Sequence, residues 1–135
     1  MAVNYYRPGL GNVGSFQSSG IPWVSSSVTC PASGTTTEAN RIDFPYVTKK
    51  LTVRNDGVPD IRVGFSDFGV RGMYGNKYYF TIGANDAPLE LDFKVSRVYL
   101  YSDTGAVSEA TVIAGLTSVD SDQLKTNWSG SDGIG

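Results

Sequence analysis

The hydrophobic positions fall into three regimes along the chain. Residues 1–20, MAVNYYRPGLGNVGSFQSSG, hold neither a period of two nor one of 3.6, and Gly9, Gly11, Gly14 and Gly20 interrupt every candidate element. From residue 21 to 116, short apolar segments alternate with turn residues. After about Thr117 the alternation fades again. This pattern predicts one body, residues 21–116, between an N-terminal arm, 1–20, and a C-terminal arm, 117–135.

Within the body, IPWVSSSV (21–28) predicts a first strand. NRIDFPYV places Ile42, Phe44 and Tyr46 on one face, and Pro45, which has no ladder donor, marks an edge or a bulge. KKLTVRNDGVPDIRVGF reads as a hairpin: Leu51 and Val53 alternate inward, NDGVP turns the chain, and Ile61, Val63 and Phe65 return. SDFGVRGMYGN reads as a glycine-rich loop leading into the strand KYYFTI. LELDFKV alternates Leu89, Leu91, Phe93 and Val95 against Glu90, Asp92 and Lys94. Ser96 and Arg97 shift the parity, Val98 and Leu100 continue inward, and Tyr99 and Tyr101 face the other way. EATVIAGL is the last strand. About eight strands at spacings of roughly 8–12 residues predict an all-β fold, an antiparallel β-sandwich, most simply a jelly roll; a closed barrel is the geometric alternative.

Composition supports this class. With 16 glycines, 6 prolines, 12% aromatic and 18% charged residues, the 135-residue chain is turn-rich, and strong helix formers never gather at helical spacing. One domain of this length buries a core without disulfides or metals. A formal charge of −2 gives no general attraction to phosphate, and acids flank the densest basic cluster, Lys49, Lys50 and Arg54. Direct nucleic-acid contact is therefore not expected. No apolar run approaches the ~20 residues of a membrane span, and MAVNYYRPGLG lacks the charged and apolar regions of a secretory signal. The expectation is synthesis in a cytoplasm and no membrane partner.

Candidate chemistry is sparse. The absence of histidine from the sequence removes the commonest general base and zinc ligand. Cys30, the single cysteine, reads as a small thiol at a strand end with no histidine to activate it. Glu90 and Asp92 share a strand face at a separation that suits glycoside hydrolysis, but alternation with Leu89, Leu91 and Phe93 reads as the solvated face of an amphipathic strand. Asn55, Asp56 and Asp60 crowd one turn and Asp120 and Asp122 another, a composition that turns select for local hydrogen bonding; neither follows EF-hand spacing. GVRGMYGN lacks the lysine of a phosphate-binding loop, and NWS (127–129) matches a glycosylation acceptor with no secretory route to use it. No catalytic residue, metal or cofactor is expected. Tyr74, Tyr78, Tyr99 and Tyr101 are candidate exposed rings, suited to stacking on sugars or bases and equally to covering a sheet face at a protein interface.

The arms carry anchors that a solvated linker has no use for. Tyr5, Tyr6, Leu10 and Phe16 precede Trp23 at the start of the body, and Leu124, Trp128 and Ile134 are spaced through a tail of glycine, serine and acid. These eight residues are the candidate partner contacts. The tail has few anchors against the entropy of ordering it, so the expectation is a segment mobile in the free protein and ordered on assembly.

YRPGLGNVGSFQSSGIPWVSSS, the segment TKKLTVRNDGVPDIRVGFSDFGVRG with the following YYFTI, the strand ending VIAGLTSV and the terminal NWSGSDGIG together resemble small accessory structural proteins of tailed-phage virions, above all those of phages infecting marine bacteria and cyanobacteria. The resemblance spans nearly the whole chain. It implies a non-enzymatic β-sandwich that decorates or cements the outer surface of the capsid, a dimer or trimer bridging neighbouring major capsid proteins. A tail or neck station, or a carbohydrate- or receptor-binding module on the virion surface, is the alternative. The arms, from Tyr5 to Trp23 and from Leu124 to Ile134, are then the contacts with capsid or neighbouring subunit.

Overall fold

A computed structural model describes residues 21–33, 38–72, 77–124 and 134. Among them the chain forms eight strands: β1 (Ile21–Cys30), β2 (Asn40–Asp43), β3 (Tyr46–Asn55), β4 (Ile61–Gly64), β5 (Tyr79–Ile82), β6 (Leu89–Leu91), β7 (Arg97–Ser102) and β8 (Ser108–Asp120). A short helix, α1 (Asp67–Arg71), lies between β4 and β5, and a 3-10 turn, Ser121–Leu124, follows β8. The strands make two four-stranded sheets, ordered β1-β8-β3-β6 and β2-β7-β4-β5. β1 pairs with β8, β2 with β7, β3 with β6 and β4 with β5, all antiparallel. This is one long hairpin rolled up until β8 meets β3 and β7 meets β4. The expected β-sandwich is therefore a jelly roll, and no closed barrel forms.

The core follows the alternation. Leu51 and Val53 on β3, Ile61 and Val63 on β4, Val98 and Leu100 on β7, and Ala110, Val112, Ala114 and Leu116 on β8 are buried between the sheets. Each fully buried large aliphatic contributes about 1.5–3 kcal/mol. At one end Trp23, opposite Ala114 in register, sets its ring edge-on against Phe44 with centroids 4.9 Å apart.

The expected hairpin between β3 and β4 does not form, because the two strands lie in different sheets. Leu51, Val53, Ile61 and Val63 face the core either way, so alternation alone does not separate a hairpin from an arch that crosses the sandwich. The buried side chain of Asn55 decides it. Its Nδ2 donates to Pro59 O at 2.9 Å and to Ile82 O, at the end of β5, at 3.0 Å. Its Oδ1 accepts from Gly57 N at 2.9 Å and from the Ser108 hydroxyl at 3.3 Å. One amide thus uses donors and acceptor together to tie both sheets to the turn. Gly57 is required there, since a Cβ would stand 2.2 Å from Ser108 Oγ.

Three other expectations change. LELDFKVSRVYLY is not one strand: β6 belongs to the first sheet and β7 to the second, and the parity shift at Ser96–Arg97 marks the end of the crossover. Buried Thr48 anchors that crossover, its hydroxyl donating to Phe93 O at 2.6 Å and accepting from Val95 N at 3.1 Å; Phe93, expected inward, is exposed. The start of the glycine-rich segment is helical, because Ser66 caps its N-terminus by accepting from Gly69 N at 3.0 Å and Gly72 ends it in the left-handed region at φ 73°. Finally, β8 runs to Asp120 rather than ending at Leu116. Register shifts on either side of Thr48 in β3 accompany a parity change in β8, so that Val119 packs with Val47 and Leu124. The body thus continues past the expected boundary at 116/117, which falls inside a strand.

Asn55→Ala removes four hydrogen bonds in one step, taking a donor from Ile82 O and the side-chain acceptor from Gly57 N, while Pro59 O keeps the Ser108 hydroxyl. Urea unfolding of this variant is expected to show a loss of about 2–4 kcal/mol with an unchanged m-value.

Candidate functional site

Five of the expected contact residues, Tyr5, Tyr6, Leu10, Phe16 and Trp128, lie outside the described residues. Trp23 is half-buried against Phe44. Leu124 is a correction: it is buried in its own chain with Val47 and Val119, and its carbonyl accepts from the Ser96 hydroxyl at 2.7 Å, so it offers no side chain to a partner. Ile134 is likewise held by its own chain. Its carbonyl accepts from the Ser66 hydroxyl, and it lies so close to Gly69 that a Cβ there would be 2.4 Å from the Ile134 oxygen. At this one residue the chain lies against the start of α1, and the rest of the expected C-terminal arm beyond Leu124 lies outside the described residues.

The surface best suited to a partner is the outer face of the first sheet at its β1 edge. Val24 is opposite Ile113 in register, and Ile113 is opposite Thr52. Val24 is 66% exposed and Ile113 48%, two β-branched apolar side chains side by side in solvent, with exposed Pro22 beside them. Alternation dictates this, because the neighbouring Trp23, Val112 and Ala114 take the inner face. The ten residues of β1 include no charged residue, whereas edge strands are ordinarily guarded by charge. A bulge between Ser25 and Val28, with Ser27 at φ 56°, divides the β1–β8 ladder into Ile21–Ser25 and Val28–Cys30. On the far side of the sheet Lys50 pairs with Glu90 at 3.6 Å, giving an apolar strip with a charged rim.

The outer face of the second sheet is organised by Arg62, which the sequence reading passed over. Its guanidinium sits 4.5 Å from the ring centre of Tyr79 and 5.9 Å from that of Tyr101, and it bonds Asp103 at 2.7 Å. It also donates to the carbonyls of Val70 and Arg71 at 3.4 and 3.3 Å, closing the C-terminal end of α1. Val70 packs with Ala39 and Tyr101 beneath the helix, and Gly64 makes room for it: a Cβ there would lie 2.9 Å from Val70 Cβ. Tyr101, expected to face solvent, is therefore buried under α1. With Tyr74 outside the described residues and Tyr78 and Tyr99 half-buried, the four-tyrosine stacking platform is not assembled among the described residues. An arginine between core-facing Ile61 and Val63, on the strand before a Ser-capped segment, was the available signal.

The remaining candidates for chemistry are held in structural bonds or stand in solvent. Glu90 is exposed on an edge strand beside Lys50, and Asp92, also exposed, lies beyond the end of β6. Asp56 accepts from the Thr111 hydroxyl and from Arg54 Nε, the latter at 2.7 Å. The Thr111 bond first, and then Arg54, hold its carboxyl below the ordinary aspartate value. Cys30 is fully buried, and burial, with a smaller push from the Glu109 charge, raises its thiol to about 12. Among the described residues no group of three or more potential metal ligands gathers, and no helix is long and apolar enough to cross a membrane. Comparison of the sequence with protein-family models and with curated proteins found no match.

Two measurements check these assignments. Cys30 in the native protein is expected to react with a disulfide probe only as fast as the chain unfolds, since neither exposure nor thiolate is present at neutral pH. The lowered carboxyl of Asp56 means that the native state stabilises its ionised form, so its contribution is complete above the unfolded aspartate value, about pH 4, and is lost as pH falls through the lower folded value. Acid titrations of stability are expected to be less steep below about pH 4 in Asp56→Asn than in the wild type.

Proposed function

We propose that this chain is a non-enzymatic structural protein of a tailed-phage virion, a decoration or cement protein that binds the outside of the head, bridges neighbouring major capsid proteins and acts as a homo-oligomer. The observation that carries the reading is the uncharged edge strand β1 with Val24 and Ile113 exposed side by side on a rigid sheet, immediately after the aromatic-bearing residues 1–20. An apolar strip with a charged rim on a strand edge suits docking of another protein surface, with main-chain pairing available along Ile21–Ser25. The jelly roll supports the reading without deciding it, since viral capsid proteins share that architecture with lectins and cupins. A histidine-free sequence offers little to an enzymatic alternative. A station on the tail or neck uses the same face against a different partner.

The test is co-sedimentation of the purified protein with capsids that lack it. Val24→Asp and Ile113→Asp each place a charge in the strip without touching the core, and each is expected to weaken binding about tenfold or more at unchanged melting temperature. Removal of residues 1–20 is expected to abolish binding while leaving a folded body. Wild-type binding by all three variants overturns the proposal, and sedimentation with tails in place of heads moves the protein to the alternative station.

A further inference from the structure

We infer that the outer face of the second sheet carries a binding cleft for a neutral saccharide, a function separate from docking through the β1 face and independent of it. α1 covers only part of this sheet. Between the helix and the β2 edge a trough of about 450 Å³ remains, lined by Glu38, Ala39, Arg41, Asp43, Asp67 and Tyr99. That volume lies within the range of small-ligand sites. Tyr99 on β7, half-buried, is opposite Arg41 of β2 in register, so the two side chains leave the sheet as cross-strand neighbours.

The polar groups around the ring are already held in position. Asp67 accepts from Ala39 N at 2.9 Å and from Arg71 Nη2 at 2.5 Å, so the start of α1 and the chain leading into β2 are locked to one carboxylate. Asp43 lies 3.2 Å from Arg41 Nε through one oxygen and 3.4 Å from Arg97 Nε through the other. Asp43 and Asp67 each keep acceptor lone pairs for a further hydrogen bond, and Arg41 keeps N–H groups beyond Nε.

The charge balance selects the ligand class. Of the charged groups that line the trough, Glu38, Asp43 and Asp67 are carboxylates and Arg41 is a guanidinium; Arg71 and Arg97, outside the lining, pair with Asp67 and Asp43, so that counted with these partners the charges are three against three and neither a cation nor an anion gains a large net attraction. An apolar ligand would strip water from these walls without replacing its hydrogen bonds. A sugar ring meets both demands: its C–H face lies on the tyrosine, and its hydroxyls donate to carboxylates and accept from the guanidinium. This cleft differs from a flat stacking platform in using one ring and two oriented walls.

The test is saturation-transfer NMR on the full chain with methyl glycosides of neutral hexoses and N-acetylhexosamines, and with sialic acid as the anionic comparison. At least one neutral glycoside is expected to receive saturation, with amide shifts centred on Arg41 and Tyr99. Tyr99→Ala and Arg41→Ala are expected to weaken that binding about tenfold or more, a difference of about 1.4 kcal/mol. Tyr99 also packs beside Val70, so Arg41→Ala, at an exposed position, supplies a variant with an intact fold. Val24→Asp, on the other sheet, leaves sugar binding unchanged and is read separately for capsid attachment. Absence of saturation on every neutral glycoside, undiminished binding in Arg41→Ala, or equal binding of sialic acid overturns the inference.

Discussion

The rolled topology depends on the chain leaving one sheet and entering the other in the five residues between β3 and β4, and the Asn55 amide makes that passage specific. Apolar alternation supplies most of the stabilising free energy but is indifferent to which sheet a strand joins. Hydrogen bonds with fixed partners are not indifferent. Asn55 bonds the turn it begins, the end of β5 and the start of β8, so the arch, the second sheet and the first sheet's central strand are set in one geometry. Thr48 does comparable work at the β6–β7 crossing, where its hydroxyl serves two backbone groups of the same segment. Both are polar residues buried at places where the chain changes layers, and both are satisfied there.

The fold class, the strand count and most of the core could be read from the sequence because they rest on period-two alternation, which is local. What could not be read rests on partners remote in the chain. Asn55 and Thr48 look like ordinary strand or turn residues until Ile82 and Phe93 are beside them. Tyr101 alternates outward as expected, yet a helix that the glycine content concealed lies over it. The caps of that helix, Ser66 and Gly72, were present in the sequence, but five residues carry no helical periodicity to draw attention to them. Leu124 was misassigned because Gly115 and Ser118 dilute the apolar pattern before it, while Thr117, a polar residue, is buried and bonded to Val47 O at 2.6 Å. The candidate surface was only partly visible: Trp23 lies on the same strand, and the exposed pair Val24–Ile113 emerges only when β1 and β8 are set in register.

The two sheets divide their outer faces between different physics. Among the described residues the first carries β-branched side chains in solvent and an uncharged edge at β1. The second is covered in part by α1 and bound into a network of arginines, tyrosines and carboxylates. Arg62 is central to that network because it satisfies helix carbonyls, two rings and a carboxylate at once. A guanidinium is suited to this work, since its planar fork presents donors in several directions while its faces stack on aromatic rings.

Pairing of β1 with β8 also fixes which end of the sandwich the flanking segments leave from. Ile21 stands opposite Leu116, so the chain enters β1 and leaves β8 at one pole of the sandwich, while Cys30 and Ser108 meet at the other. The turn before Ser108 therefore projects away from both points of entry and exit, and at Gly105 an added side chain meets nothing within 4 Å. On any surface that grips the molecule by the segments flanking the sandwich, this turn points outward, and a peptide grafted at Gly105 would be carried at the free pole, making the fold a natural scaffold for display.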